Sequence, residues 1–321
     1  MKKIVYYIGI LVCMGFSSCI GEDLSICRSN GIIPQFILVP YEGNNIINDS
    51  LYSAKVYVFN KEEVFVTSYE ISGRPELNKA YTPDWTLPPG KYYFNVWLNY
   101  KGQVKMDSCI AGQTSMRTAR VNFEIPAAGV IDERSKKIPF LCYGELEQQE
   151  VDASNYVLTI PVMQLTNTIN LRVTGLTDPE SSLEPSLVDI PGFQYAISAD
   201  NRIYTLDGNF DTCPDFTYMT VKQGGPDTLE TTLTILKLSK ERANTTISFT
   251  NLANKKELFS GNLSNNLIDL ILSKYPDIDF DKNHDYYLEI NSGPPQTEIT
   301  LKLTINGWSE STSDEVLDIY K

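Results

Sequence analysis

Apolar and polar positions alternate with a period of two over most of this chain. In "EITLKLTING" Ile299, Leu301, Leu303 and Ile305 fall on one face, and Thr300, Lys302, Thr304 and Asn306 on the other. Such a stretch is a strand with one buried and one wet face. "RVNFEIP" repeats the pattern with Val121, Phe123 and Ile125. Residues 54–72, "AKVYVFNKEEVFVTSYEIS", hold two β-rich runs around Asn60 to Glu62 and predict a hairpin. "GKYYFNVWLN", residues 90–99, is aromatic and β-branched and follows a Pro88-Pro89-Gly90 turn. One segment has a helical period instead. "LSNNLIDLILSKYP" sets Ile268, Ile271, Leu272 and Tyr275 at i, i+3, i+4 and i+7. Ser264 or an adjacent Asn caps this helix and Pro276 stops it. Many short strands divided by Gly, Pro and Asn turns, with almost no helix, predict β-sandwiches. No short repeat of the solenoid or propeller kind is visible.

The apolar run "YVLTIPVMQLTNTINLRVTGL", residues 156–176, is too long for one strand of a compact sheet. Val157 to Met163 can close a first domain and Asn167 to Val173 can open a second, with Thr166 and Asn167 as the hinge. The expected division is an N-terminal β-sandwich over 31–165 and a C-terminal one over 166–321. Roughly 150 residues each is enough for either to bury its own core.

The N-terminus reads differently. Lys2 and Lys3 precede a mostly apolar run from Ile4 to Phe16, and Ser17 and Ser18 lead to Cys19. This is the layout of a secretory signal over residues 1–18, and its apolar run is too short to span a bilayer. "FSSC" resembles the lipobox of bacterial lipoproteins, although Phe16 stands where an aliphatic residue is usual. The resemblance implies that Cys19 is acylated and that residues 19–30 form a lipidated tether. Several acyl chains anchor stably where one does not, at ~0.8 kcal/mol per buried methylene. The alternative is a soluble secreted protein with Cys19 in a disulfide. Glu22 and Asp23 resemble the acidic signal that sends Bacteroidota lipoproteins to the cell surface, the alternative being a solvated linker.

Charge and cysteine content narrow the classes. The formal net charge is -13 and no block of Lys and Arg follows the leader, so nucleic acid is not an expected partner. The acidity is spread along the chain and reads as solubility. Beyond Cys19 the cysteines are Cys27, Cys109, Cys142 and Cys213, none spaced as a CxxC motif. In an oxidising compartment they allow up to two disulfides in three pairings, or buried free thiols.

No constellation of catalytic residues emerges, and neither an enzyme, a metal nor a cofactor is expected. The one histidine, His284, lies in the polar stretch "DKNHDYY" and reads as a surface residue, with no GxSxG elbow to accompany it. Asp277, Asp279 and Asp281 fit the first positions of a calcium loop, but Lys282 and Leu288 occupy the places of its Gly and its bidentate Glu. Trp85, Trp97 and Trp308 offer a sugar platform, against core packing for Trp97 within its strand. "DSL" at 49–51 and "DTL" at 227–229 resemble the O-glycosylation signal of Bacteroidota.

In their order, several motifs carry a wider resemblance. "CIGEDLSIC", "LYSAKVYVFNKEEVFV", "LPPGKYYFNVWLN", "FLCYGE" and "TNTINLRVTGL" together resemble the minor fimbrial subunit and fimbrial anchor lipoprotein family of Bacteroidota, related to fimbrillins. The resemblance implies an all-β protein: two transthyretin-like β-sandwich domains in tandem, with one short helix in the second. It implies a lipid-anchored minor subunit that attaches a fimbrial stalk to the outer membrane, with the outer-membrane lipid (via Cys19) and a stalk subunit as partners. Assembly in this family is by β-strand addition. Related stalk subunits are trimmed after an N-terminal Arg. Here only Arg28 stands between Cys19 and Arg74, which suits a protein that keeps its lipid. The rival reading is a surface glycan-binding lipoprotein that uses exposed Trp and Tyr.

Overall fold

The computed structural model describes residues 31–42, 44–102, 104–126, 129–132, 138–174, 192–223, 228–241, 244–252, 255–257, 266–291 and 298–300. The first strands are β1 (Gln35–Pro40), β2 (Ala54–Asn60), β3 (Phe65–Ile71), β4 (Ala80–Tyr81), β5 (Gly90–Leu98), β6 (Val104–Met106), β7 (Arg120–Phe123) and β8 (Val130–Asp132). They are followed by β9 (Cys142–Val151), β10 (Val157–Gln164), β11 (Thr166–Thr174), β12 (Gly192–Ala199), β13 (Ile203–Thr205), β14 (Phe216–Gln223) and β15 (Thr228–Leu236). The last elements are β16 (Thr246–Asn251), β17 (Lys256–Glu257), the helix α1 (Leu267–Lys274), β18 (Asp285–Asn291) and β19 (Glu298–Thr300). The protein is all-β, and among the described residues α1 is its one α-helix.

The predicted hairpin forms between β2 and β3. Its turn is held by Asn60, whose Oδ1 accepts from the amides of Glu62 and Val64 at 3.0 and 2.9 Å. Strand β5 covers nearly all of the "GKYYFNVWLN" run. Strands β2 and β5 carry near-continuous buried runs because their sheet is covered on both faces. Val56, Val58, Phe94, Val96 and Leu98 face one core, while Tyr57, Phe59 and Trp97 face the other. The sheet is seven-stranded, in the order β3-β2-β5-β9-β10-β1-β4. Gly144 lets β9 and β10 approach closely, since a Cβ there would run into the Pro161 carbonyl.

The long run 156–176 breaks at Leu165. Strand β10 ends in the seven-stranded sheet and β11 begins a four-stranded one, β15-β11-β18-β19. Leu165 is 2% exposed, with its amide on the Leu141 carbonyl and its carbonyl accepting from Lys237. The β17-β16-β12-β14-β8 sheet faces the four-stranded one across a shared core that holds Leu171, Val173 and Leu233 from one side and Tyr195, Ile197 and Phe249 from the other. Strands from both sides of residue 165 share two sheets: β8 pairs with β14, and β7 with β13.

Helix α1 forms where the period predicts it. Asn266 caps it by accepting from the Asp269 amide at 3.1 Å, which satisfies one of its free first-turn donors. Leu267, Ile268, Leu270 and Ile271 are buried. The stretch "EITLKLTING" opens as β19, paired with β18, and from Leu301 onward lies outside the described residues, as does Trp308. The leader, Cys19, Cys27, Arg28, the Glu22-Asp23 pair and Ser264 lie outside them too.

Candidate functional site

The N-terminal strand is built into the fold. β1 runs parallel to β10 over six aligned pairs, from Gln35 with Val157 to Pro40 with Val162, and β4 covers part of its other edge. Phe36 and Leu38 are fully buried. Just past β1, Asn44 makes a junction with the second half of the chain. Its Oδ1 accepts from the Gln164 amide at 2.8 Å and from His284 Nε2 at 2.9 Å. Its Nδ2 donates to the Asp281 carbonyl at 3.1 Å. On the far side of the ring, Asn167 Nδ2 donates to His284 Nδ1 at 3.4 Å, while Asn167 Oδ1 accepts from the Leu238 amide at 2.6 Å.

His284 is therefore not the surface residue that its polar neighbours suggest. It is 4% exposed. The ring turns inward, with Asn283 buried beside it and Asp285 left exposed, because asparagine amides are present to satisfy it. Burial lowers its pKa from the usual 6.5 to about 4, with nearby Lys237 acting the same way and Asp285 and Asp281 opposing. Its described partners are amides, which orient a neutral imidazole rather than activate a nucleophile. Neither Asn44 nor Asn167 was legible as a functional position, because the contact joins residues more than a hundred apart.

The other candidates fall as follows. Trp97 is fully buried against Tyr143 and Tyr204, with Nε1 donating to the Leu206 carbonyl at 3.2 Å. Trp85 is partly buried over Phe36, and its Nε1 donates to the Ser68 carbonyl at 3.2 Å, so neither ring stands out as an open platform. Asp281 pairs with Lys237, and Asp279 Oδ1 accepts from the Asp281 amide at 2.9 Å. Among the described residues no group of three or more His, Cys, Asp or Glu is placed to hold a metal ion. Cys109, Cys142 and Cys213 are free thiols. In the triplet 49–51 Ser50 is half-buried and Leu51 fully buried, so the folded chain does not present it openly.

Two cavities meet near Asn209. One, of about 530 Å³, is lined by Phe210, Lys237, Lys240, Asp277 and Asp279 among others. The other, of about 290 Å³, lies between Arg117, Glu145, Glu147 and Asp207. Burial raises the Glu145 pKa, partly offset by the Tyr143 hydroxyl that donates to it at 2.8 Å.

The sheet edges are the remaining surfaces of interest. Most outer strands are short: β4 and β17 have two residues each, and β6, β8, β13 and β19 three each. The outer edge of β3 is partly covered by Trp85 at Ser68 and by the backbone of Gly112 and Thr114 at Phe65. β15 is different, with nine residues at the end of its sheet. No helix among the described residues is long and apolar enough to cross a membrane.

Such an arrangement defines an all-β scaffold protein with a built-in first strand, whose uncommitted features among the described residues are sheet edges. The chain belongs to the family of fimbrillin-A associated anchor proteins Mfa1 and Mfa2, whose sequence profile matches residues 34–314. That membership makes it a fimbrium-associated protein of the cell envelope. No curated protein sequence matches it. Among solved structures it is similar to the fimbrial anchor protein Mfa2 from Porphyromonas gingivalis, at TM-score 0.64 and 17% identity, covering 86% of this chain and 97% of that one. It is equally similar to a candidate polysaccharide-binding protein from Bacteroides thetaiotaomicron, at TM-score 0.65 and 16% identity over 87% and 98% of the two chains. A candidate adhesin from the same species gives TM-score 0.64 and 17% identity over 87% and 98%. At these identities the likeness is one of fold.

Proposed function

We propose that this chain is a lipid-anchored minor fimbrial subunit. In this reading it fixes a fimbrial stalk to the outer membrane through acylated Cys19 and joins its partner by β-strand addition. The observation that carries the reading is the match to the anchor family over residues 34–314. The lipobox-like "FSSC" supplies the membrane end and Glu22-Asp23 the surface address. After the leader, the mature chain is a tether at 19–30 followed by two β units, 31–165 and 166–321, with β7 and β8 of the first pairing with β13 and β14 of the second. β1 stays in place and is not removed by processing: Arg28 is the one Arg between Cys19 and β1, and β1 is buried and paired with β10. With Arg28 spared, tether and fold remain one covalent piece, as an anchor under tension requires. The test is Cys19→Ala, which is expected to release the protein from the membrane fraction. Retention on the outer membrane after detergent-free washing would refute the lipid assignment. Deleting the gene is expected to leave stalks detached, or altered in length, in the medium.

A second reading, a surface glycan-binding lipoprotein, is favoured by the cavity of about 530 Å³ and by the similar structure described as a candidate polysaccharide binder. Calorimetric titration with soluble glycans distinguishes it. Saturable heat, together with stalks of normal length still fixed to cells after gene deletion, would move the assignment there.

A further inference from the structure

The structure points to the free edge of β15, Thr228–Leu236, as the place where the fimbrial partner adds its strand; we infer this site on the strength of the fimbrial reading above. The phase of the ladder decides which backbone groups of β15 face outward. β15 pairs antiparallel with β11 from Thr166–Leu236 to Thr174–Thr228. In such a ladder opposite residues alternate between bonded and non-bonded pairs. One step beyond it, the Lys237 amide donates to the Leu165 carbonyl at 3.0 Å. That contact sets the phase. Ile235, Leu233, Thr231 and Leu229 bond to β11, and the backbone of Thr234, Thr232, Glu230 and Thr228 turns outward. Leu236 shares the outward phase, and its amide is taken by the Tyr218 hydroxyl at 3.1 Å. From Thr228 to Thr234 no described backbone group takes the outward positions.

An edge of this length is ordinarily guarded by lysine, proline or a bulge. β15 has none of these and carries one charge, Glu230. Its side chains alternate cleanly: Leu229, Leu233 and Ile235 are buried, while Glu230 and Thr232 are exposed. Thr231 sits on the buried face, 6% exposed, and its Oγ1 has no hydrogen-bond partner. Leaving such a hydroxyl unpaired is unfavourable, and a Ser or Thr directly opposite on an added strand would satisfy it.

The occupant is an extended segment of the partner fimbrial subunit rather than a second copy of this chain. The family is described by its association with a fimbrillin. A net charge of -13 per chain opposes self-association. The matching segment alternates apolar and polar residues, with a hydroxyl facing Thr231 and a basic side chain on the outer face near Glu230. Glu230 already lies 3.4 Å from Arg172 and can share in such a pair.

Two measurements test the assignment. Proline at an outward amide removes no bond to β11, so Thr232→Pro and Thr234→Pro are expected to fold. Both are expected to lower capture of purified stalk-subunit monomer from the same organism at least tenfold. Capture within twofold of the unaltered chain overturns the edge assignment alone. If the unaltered chain captures none, the fimbrial reading fails first. Hydrogen exchange on the full mature protein needs no variant. The amides of Glu230, Thr232 and Thr234 are expected to exchange at least a hundredfold faster than those of Thr231, Leu233 and Ile235, and to slow on addition of the stalk subunit. Equal protection in the isolated chain would show the edge already covered by its own chain or by a second copy, and would overturn the proposal.

Discussion

His284 Nε2 donates to Asn44 Oδ1 at 2.9 Å, across 240 positions of sequence, and so ties the segment after β1 to the residue that leads into strand β18 of the four-stranded sheet. Asn167 presents its amide nitrogen to the other ring nitrogen because its oxygen is held by the Leu238 amide. A proton added at Nδ1 would therefore meet a donor. The junction is built for neutral imidazole.

This arrangement predicts a pH dependence with a definite sign. The folded-state pKa is lowered to about 4 from 6.5, so the unfolded chain binds more protons between those values. The contribution of His284 is full above pH 6.5 and is lost as pH falls toward 4, by an amount on the order of 3 kcal/mol. The check is the urea midpoint of the protein and of His284→Gln from pH 7.5 to 4. The difference between them is expected to shrink steadily on acidification. A constant difference would refute the buried-neutral assignment.

Trp97 is expected to be structural. Trp97→Ala removes a fully buried ring and its hydrogen bond to Leu206, and the expected loss is about 3–5 kcal/mol. Trp97→Phe keeps most of the volume and is expected to cost less. Chemical denaturation followed by circular dichroism reads both.

Gly144→Ala is expected to destabilise by about 2 kcal/mol or more, or to abolish folding, because the new methyl has only the Pro161 carbonyl and Val162 to displace. Gly90→Ala is the control, with nothing nearer its added Cβ than the Tyr92 ring at 3.5 Å. Thermal unfolding of the pair separates close approach from a generic glycine effect.

Thiol labelling is expected to follow burial. Cys142 is fully buried and desolvation raises its pKa, whereas Cys109, its pKa also raised by burial, is only partly buried and reachable by reagent. Cys109 is expected to react with a disulfide reagent in the native protein, and Cys142 only after denaturation. Mass mapping of the modified peptides reads the order, and early labelling of Cys142 would place that strand wrongly.

The alternation in "AKVYVFNKEEVFVTSYEIS" and the period in "LSNNLIDLILSKYP" determined by themselves that this is an all-β protein with a short capped helix. Those signals are local: a pleat has a period of two, a helix one of 3.6, and an asparagine side chain can cap or turn the backbone beside it. The leader and its "FSSC" are equally local. The tertiary structure alone decided the rest. It took His284 from an apparent polar loop into a buried junction, because hydrogen-bond partners for an imidazole are found in space and Asn44 and Asn167 gave no sign of supplying them. It placed β8 beside β14, since a three-residue strand has too little periodicity to announce its partner. Among the described strands it also made β15 an edge. Nothing in "TLETTLTIL" differs from an interior strand, because whether a strand has one neighbour or two depends on where other segments run, and its own side-chain pattern records only which face is dry.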